Sequence, residues 1–197
     1  MKKKLGINVL QASKSRISWV FDNFPKIYVS FSGGKDSTDM THLVMSEAKK
    51  RNKKVGLLFM DLEAQYKLTI DHVEEVYSEY SENIDPFWVS LPIHLRNAVS
   101  QYEPHWISWE PGREKDWVRK PPKIAITDQE YFPFYRYGME FEDFVPQFGK
   151  WYGQGKPTAC FVGIRTNESL NRWRTIASTK KQSFEGRQWT TWIGDGL

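Results

Sequence analysis

The sequence predicts an α/β fold, a doubly wound and mostly parallel sheet with helices on both faces, and three observations carry that prediction. Short apolar runs rich in β-branched and aromatic residues alternate with stretches of helical period a dozen or more residues long. The first apolar run ends at Gly33-Gly34, directly before a helical period begins. The 197 residues, 40% of them hydrophobic, suit one domain across 1–197 with one core.

The elements follow in order. Val9, Ile17, Val20, Phe21 and Phe24 recur at spacings near three and four, which predicts an opening helix over 8–24 stopped by Pro25. Ile27 to Phe31 reads as the first strand, and Met40, Leu43, Val44 and Ala48 mark the helix after it. Val55 to Met60 is a second strand closed by Asp61; Ile70, Val73, Val76, Tyr77 and Tyr80 give the next helix its apolar face, and Phe87 to Leu91 is a third strand. From Pro92 to about Pro122 no period holds, and prolines, a glycine and Trp106, Trp109 and Trp117 sit among charges. We read an aromatic-rich insertion or lid at about 92–135, because so long an irregular stretch in a small domain is usually functional. Phe141, Phe144, Val145, Phe148 and Trp151 predict a helix ending near Gly153, Thr158 to Ile164 a fourth strand, and Asn167 to Ile176 the opening of a further helix. The last twenty residues are polar and aromatic and suggest a hairpin.

Composition narrows the function classes. The longest apolar runs fall far short of the roughly 20 residues that cross a bilayer, and the basic start Met1 to Lys4 lacks the apolar stretch of an export signal, so no membrane association and a cytoplasmic location are expected. The single cysteine, Cys160, allows no internal disulfide, CxxC pair or iron-sulfur cluster. Inside the fourth strand it is expected to be a small buried hydrophobe. His42, His72, His94 and His105 show no paired ligand spacing and are assigned no metal. A net charge of +4, with basic residues spread along the chain, permits nucleic-acid binding without demanding it.

The informative segment is Ser30-Phe31-Ser32-Gly33-Gly34-Lys35-Asp36-Ser37, placed where the first strand feeds the first crossover helix. A parallel sheet puts its ligand crevice at the carboxyl ends of its strands, and a helix start offers amides and partial positive charge, so phosphate is the natural guest. It is not the Walker loop, which would need glycine at Val29 and Ser or Thr at Asp36. Asp36 is the better magnesium candidate; Asp61, closing the second strand, is expected at the crevice rim, where it could hold magnesium or contact a ribose, and Glu63 could do the same.

This octet, with its strand and helix, resembles the pyrophosphate (PP) loop of the adenine-nucleotide α-hydrolase superfamily of HUP-like folds, which includes ATP pyrophosphatases and phosphoadenosine phosphosulfate (PAPS) reductases. A second segment, Gly163-Ile164-Arg165-Thr166-Asn167-Glu168-Ser169-Leu170-Asn171-Arg172, is similar to the Gly-Ile/Leu-Arg-x-x-Glu-Ser-x-x-Arg segment of PAPS reductases. Arg165 and Arg172, seven residues apart, could reach one side of the crevice with Glu168 between them, and arginine's planar fork suits phosphate or sulfate oxygens. The resemblance implies an adenine nucleotide, ATP or a PAPS-like molecule, with magnesium. Ser30, Ser32, Gly33, Gly34, Lys35, Asp36, Ser37, Asp61, Gly163, Arg165 and Glu168 would bind it, and Lys35, Asp36, Arg165 and Arg172 would act in catalysis.

PAPS reductases use a nucleophilic cysteine in a C-terminal tail, and the tail here, Trp189 to Leu197, has none. The reading is therefore chemistry at the ATP α-phosphate: adenylylation of an unidentified acceptor with release of pyrophosphate, leaving room for a partner protein or a second copy to complete the site. The alternative is a PAPS-binding sulfur-transfer protein using an external thiol, with Arg96, Arg113 and Arg119 available for a 3′-phosphate. A less favoured alternative of another class is a non-catalytic module whose Trp106 to Lys120 stretch stacks on a nucleic-acid strand.

Overall fold

A computed structural model describes residues 6–97, 102–164 and 170. Helix α1, Val9–Asn23, is started by Asn8, whose side chain accepts from the Gln11 amide while Gln11 returns a bond to the Asn8 amide, a reciprocal capping box. It buries Ile17, Val20 and Phe21, whereas Val9, read as part of the apolar face, is exposed at the first turn. Strand β1, Lys26–Phe31, leads through the glycine turn into α2, Lys35–Lys50; β2, Val55–Met60, leads into α3, Lys67–Glu79; and β3 follows as Ile84–Val89. These bounds match the sequence reading closely except at β3, which starts three residues earlier. In the structure Pro86 lies inside the strand, in register with Leu57, and its missing N–H is tolerated because β3 is an outer strand.

The stretch after β3 holds more regular structure than expected. Strand β4, Ile93–Arg96, pairs antiparallel with β5, His105–Ser108, and parallel with β6, Met139–Glu140, forming a separate three-stranded sheet. Its strands are two to four residues long, with Pro92 directly before β4 and Pro104 directly before β5, too short to establish a visible alternation. Helix α4, Phe141–Gly153, and strand β7, Thr158–Val162, complete the described chain. The helix expected from Asn167 and the terminal hairpin lie outside the described residues, apart from Leu170.

The main sheet has the order β3-β2-β1-β7 and is parallel throughout. Chain order runs outward from β1 in one direction to β2 and β3, and then jumps to its other side for β7. The sheet thus has a topological switch between β1 and β7, and a crevice opens at such a point, beyond the carboxyl ends of the strands. Alternation along the strands divides the core in two. Ile27, Val29, Phe31, Val55, Leu57, Phe59, Ile84 and Trp88 face α1, α2 and α3. Tyr28, Leu58, Met60, Phe87 and Val89 face α4 and the insertion. Cys160 departs from expectation: it is exposed on β7, the outer strand among the described residues, rather than buried.

Candidate nucleotide site

The glycine turn is shaped by its own serines. Gly33 takes a left-handed backbone (φ +72°), and a Cβ there would lie 2.9 Å from Thr69 Cγ2 and 3.0 Å from Val73 Cγ2 on α3. Glycine is needed on both counts. Ser37 is buried, and its hydroxyl donates to the Gly34 carbonyl at 2.8 Å and lies 3.0 Å from the Ser32 hydroxyl. The Ser37 side chain, expected to touch the nucleotide, therefore holds the loop together. The Thr38 hydroxyl also donates to the Gly34 carbonyl, at 3.0 Å, and contacts His72 Nε2 at 2.9 Å, tying the loop to α3. Gly34 caps α2 in extended conformation without a side-chain hydrogen bond. Ser32, Gly34 and Lys35 are exposed, and Lys35 Nζ pairs with Asp36 Oδ1 at 2.8 Å. Ser30 sits one residue before the end of β1, flanked by Leu58 and Val162.

The second glycine motif meets the first. A Cβ on Gly163 would fall 2.7 Å from Ser37 Cα, 2.8 Å from Ser37 N and 3.0 Å from Asp36 C, all main-chain positions that cannot yield. The turn after β7 is thus pressed against the first turn of α2, across the switch point. Arg165, Glu168 and Arg172, predicted to complete this side, lie outside the described residues.

Asp61 is corrected by the structure. It is wholly buried rather than standing at the rim. Its Oδ1 accepts from the Glu63 amide at 3.0 Å and from Arg119 Nη2; its Oδ2 accepts from Trp88 Nε1 at 2.8 Å and from the Ser90 hydroxyl at 3.3 Å. A carboxylate has about four lone-pair sites, so the protein itself occupies them and magnesium does not fit Asp61. Glu63, also buried, accepts the amides of Trp109 at 2.7 Å and Val118 at 3.2 Å, while Trp109 Nε1 donates to the Asp61 carbonyl at 2.6 Å. The two acids fasten the tryptophan-rich segment over the end of β2. Glu63 (φ 65°) and Trp109 (φ 53°) both take left-handed backbones, unusual for large side chains and sustained only where the surroundings over-determine them.

Sequence reasoning named Asp61, Glu63 and Arg119 separately but missed that they are joined. Trp88, Ser90 and Trp109 were missed as partners; no local spacing links residues 27 to 58 positions apart. Arg113 is turned outward, bound to Glu110 at 3.3 Å and Asp116 at 3.1 Å, and Arg96 lies exposed at the end of β4. Among the described residues no group of three His, Cys, Asp or Glu side chains is arranged to hold a metal ion, and no helix is long and apolar enough to cross a membrane.

The phosphoadenosine phosphosulfate reductase domain matches residues 26–188. The chain is also 46% identical over 192 residues to the uncharacterized protein YbdN of Escherichia coli (strain K12), an alignment covering 96% of this chain and 47% of that protein. It spans about half the length of the curated relative it matches.

Proposed function

This chain belongs to the phosphoadenosine phosphosulfate reductase domain family, and on that premise we propose that it binds an adenine nucleotide at the β1–β7 switch and acts at the α-phosphate of ATP. The observation that carries the reading is the closure of Gly163 onto the first turn of α2, which sets the turn after β7 beside the glycine turn at a helix start without a side-chain cap. Amides in such a place satisfy polyphosphate oxygens, and the helix dipole adds to their pull.

In this reading the β- and γ-phosphates rest on the turn from Ser32 to Lys35, with the Lys35 ammonium, which is 74% exposed, free to swing from Asp36 onto them. An acceptor oxyanion attacks the α-phosphorus; the new oxygen–phosphorus bond forms as the bond to the β-phosphate bridging oxygen breaks, and its electron pair leaves with pyrophosphate. Preorganised amides and cations stabilise the charge that develops. Magnesium commonly arrives on the polyphosphate and needs one or two protein carboxylates. Asp36 fits that role by its place on the loop, and Asp61 does not. Arg165 and Arg172 are proposed to act on the same phosphates.

The sulfonucleotide reading is less well supported. Of the three arginines offered for a 3′-phosphate, Arg113 is spent on surface carboxylates, Arg96 lies exposed, and Arg119 is neutralised by Asp61. The strand-binding reading is less well supported, since Trp109 is buried and the half-buried Trp117 packs edge-on against it at 5.3 Å, which leaves Trp106 as the remaining half-buried ring of that stretch. The test is a ligand-stability comparison of ATP with magnesium, adenylyl sulfate and PAPS, together with pyrophosphate release from labelled ATP. ATP is expected to give the largest shift, and Lys35→Ala and Asp36→Ala each to abolish it; a shift unchanged in both variants sinks the assignment of the loop.

A further inference from the structure

Among the described residues, three buried side-chain nitrogen or oxygen atoms have no hydrogen-bond partner: Arg119 Nε, Arg119 Nη1 and Gln65 Oε1. All belong to segments pinned at one place. Arg119 gives Nη2 to Asp61, its neighbour Val118 gives its amide to Glu63, and Gln65 lies two residues beyond Glu63 with its amide on the Glu63 carbonyl. A buried donor or acceptor left unpaired is costly, more so on a charged group, and native structures leave few such groups without a partner.

Their position suggests that partner. Asp61 follows β2 directly, and β2 lies beside β1, whose end is the phosphate-binding turn. Adjacent strands are about 5 Å apart, so the Asp61 backbone sits roughly one strand spacing from the turn, on the side away from β7, and the Arg119 head lies a side-chain length beyond it. That offset suits the nucleoside end of a nucleotide whose phosphates lie on the turn. Charge narrows the chemistry further. Arg119 is balanced by Asp61, and Glu63 adds a second buried carboxylate, so the cluster carries no surplus positive charge for another anion. The guanidinium also lies over the Trp109 ring, 5.1 Å from its centroid, which fixes its plane.

We propose that Arg119 and Gln65 read the base of the nucleotide: Arg119 donates to a ring nitrogen, and Gln65 Oε1 accepts from an exocyclic amino group. The pair determines specificity and leaves the phosphates to the turn. This inference rests on the nucleotide-binding reading above, and the test separates the two by measuring tripolyphosphate, ATP and inosine triphosphate binding calorimetrically at fixed magnesium. The wild-type protein is expected to bind ATP at least about tenfold more tightly than inosine triphosphate, which carries a carbonyl in place of the amino group. Gln65→Leu is expected to erase that preference and leave tripolyphosphate binding unchanged. Because Arg119→Met strands the buried Asp61, it is paired with Asp61→Asn in a double variant checked for folding by circular dichroism. The double variant is expected to lose about tenfold or more for ATP and nothing for tripolyphosphate. Equal wild-type affinity for the two nucleotides, or a preference that survives both changes, overturns the proposal and leaves Arg119 as a structural clamp. A parallel loss for tripolyphosphate in the double variant overturns it in favour of phosphate contact. Failure of the wild-type protein to bind tripolyphosphate and ATP at all removes the nucleotide reading and this inference with it.

Discussion

The two faces of the main sheet are built from different chemistry. On one, mainly aliphatic side chains, joined by Phe31, Phe59 and Trp88, meet α1, α2 and α3, with Val29, Val44, Val55, Leu57 and Val73 fully buried. On the other, Tyr28, Phe87, Phe132, Phe144, Phe148 and Tyr152 dominate, ring edges meeting ring faces at about right angles in most pairs. The first face is closed by α2 and α3, which follow their strands directly, and by α1, which leads into β1, so local period and burial coincide. The second is closed by α4 and the insertion, which arrive from far along the chain, and rings fill the less regular gap because each buries a large area and makes favourable edge-to-face contacts. The lesson is that one sheet can carry a face specified locally and a face specified at long range, with the candidate site where they meet.

Replacing one central residue on each face sharpens the contrast. Phe148→Ala removes a ring packed against Tyr28, Phe87, Phe132, Trp151 and Tyr152 and is expected to cost about 3–5 kcal/mol in urea unfolding, with collapse of the near-ultraviolet dichroism. Leu57→Ala, on the aliphatic face, is expected to cost about 2–5 kcal/mol with that aromatic signal largely kept. Asp61→Ala strands the Arg119 cation and is expected to cost about 3–5 kcal/mol, releasing the tryptophan-rich segment and raising Trp109 fluorescence quenching by iodide; unchanged quenching would contradict the clamp.

Where the faces meet, Gly163→Ala forces a methyl onto the Ser37 backbone. It is expected to cost about 1–3 kcal/mol and to weaken nucleotide binding more than Gly155→Ala, a change at a position with nothing within 4 Å but with a left-handed backbone. Equal nucleotide affinity in the two variants would break the link between the glycine turns.

The faces also differ in pH response, the smallest of these effects. Tyr152 donates to Asp85 at 3.0 Å, and burial, then Asp85, raises its hydroxyl well above the ordinary tyrosine range. A raised folded pKa means stability present below about pH 10, the unfolded value, and lost as pH rises through the folded one. Tyr152→Phe is expected to flatten the alkaline fall in melting temperature while costing about 1 kcal/mol at neutral pH. On the aliphatic side Arg51 joins α1 to α2 through Asp22 and Glu47, and its hydrogen bonds hold both carboxyls below their usual range. Depressed values reverse the sign: their contribution is present above the unfolded carboxylate range and lost as pH falls through the folded values. Arg51→Gln is expected to reduce acid sensitivity slightly, and less so at high salt because these groups are solvent-screened.

The βα units were legible because each helix packs beside the strand that precedes it, so β-branched runs and helical periods appear in the chain as they appear in space. The phosphate turn was legible for the same reason: Ser32 to Ser37 is one contiguous segment, its glycine at 33 required by backbone angle. Asp61 was misplaced because its neighbours in the chain say only that it ends a strand; Trp88, Ser90 and Arg119, which take up its carboxylate, come from other segments. The short strands β4, β5 and β6 gave too few residues to reveal a period of two.

By itself, then, the sequence determined the parallel sheet, its crossover helices and the glycine turn, since these depend on interactions among residues near one another in the chain. Only the tertiary structure decided that Asp61 and Glu63 are buried and paired within the protein, that Gly163 closes onto α2, and that the tryptophan-rich segment is fastened over β2. Those depend on which distant donors arrive at each buried acceptor, because in a low-dielectric interior an unpaired carboxylate is costly, and Asp61 and Glu63 are satisfied by donors that the fold brings from far along the chain.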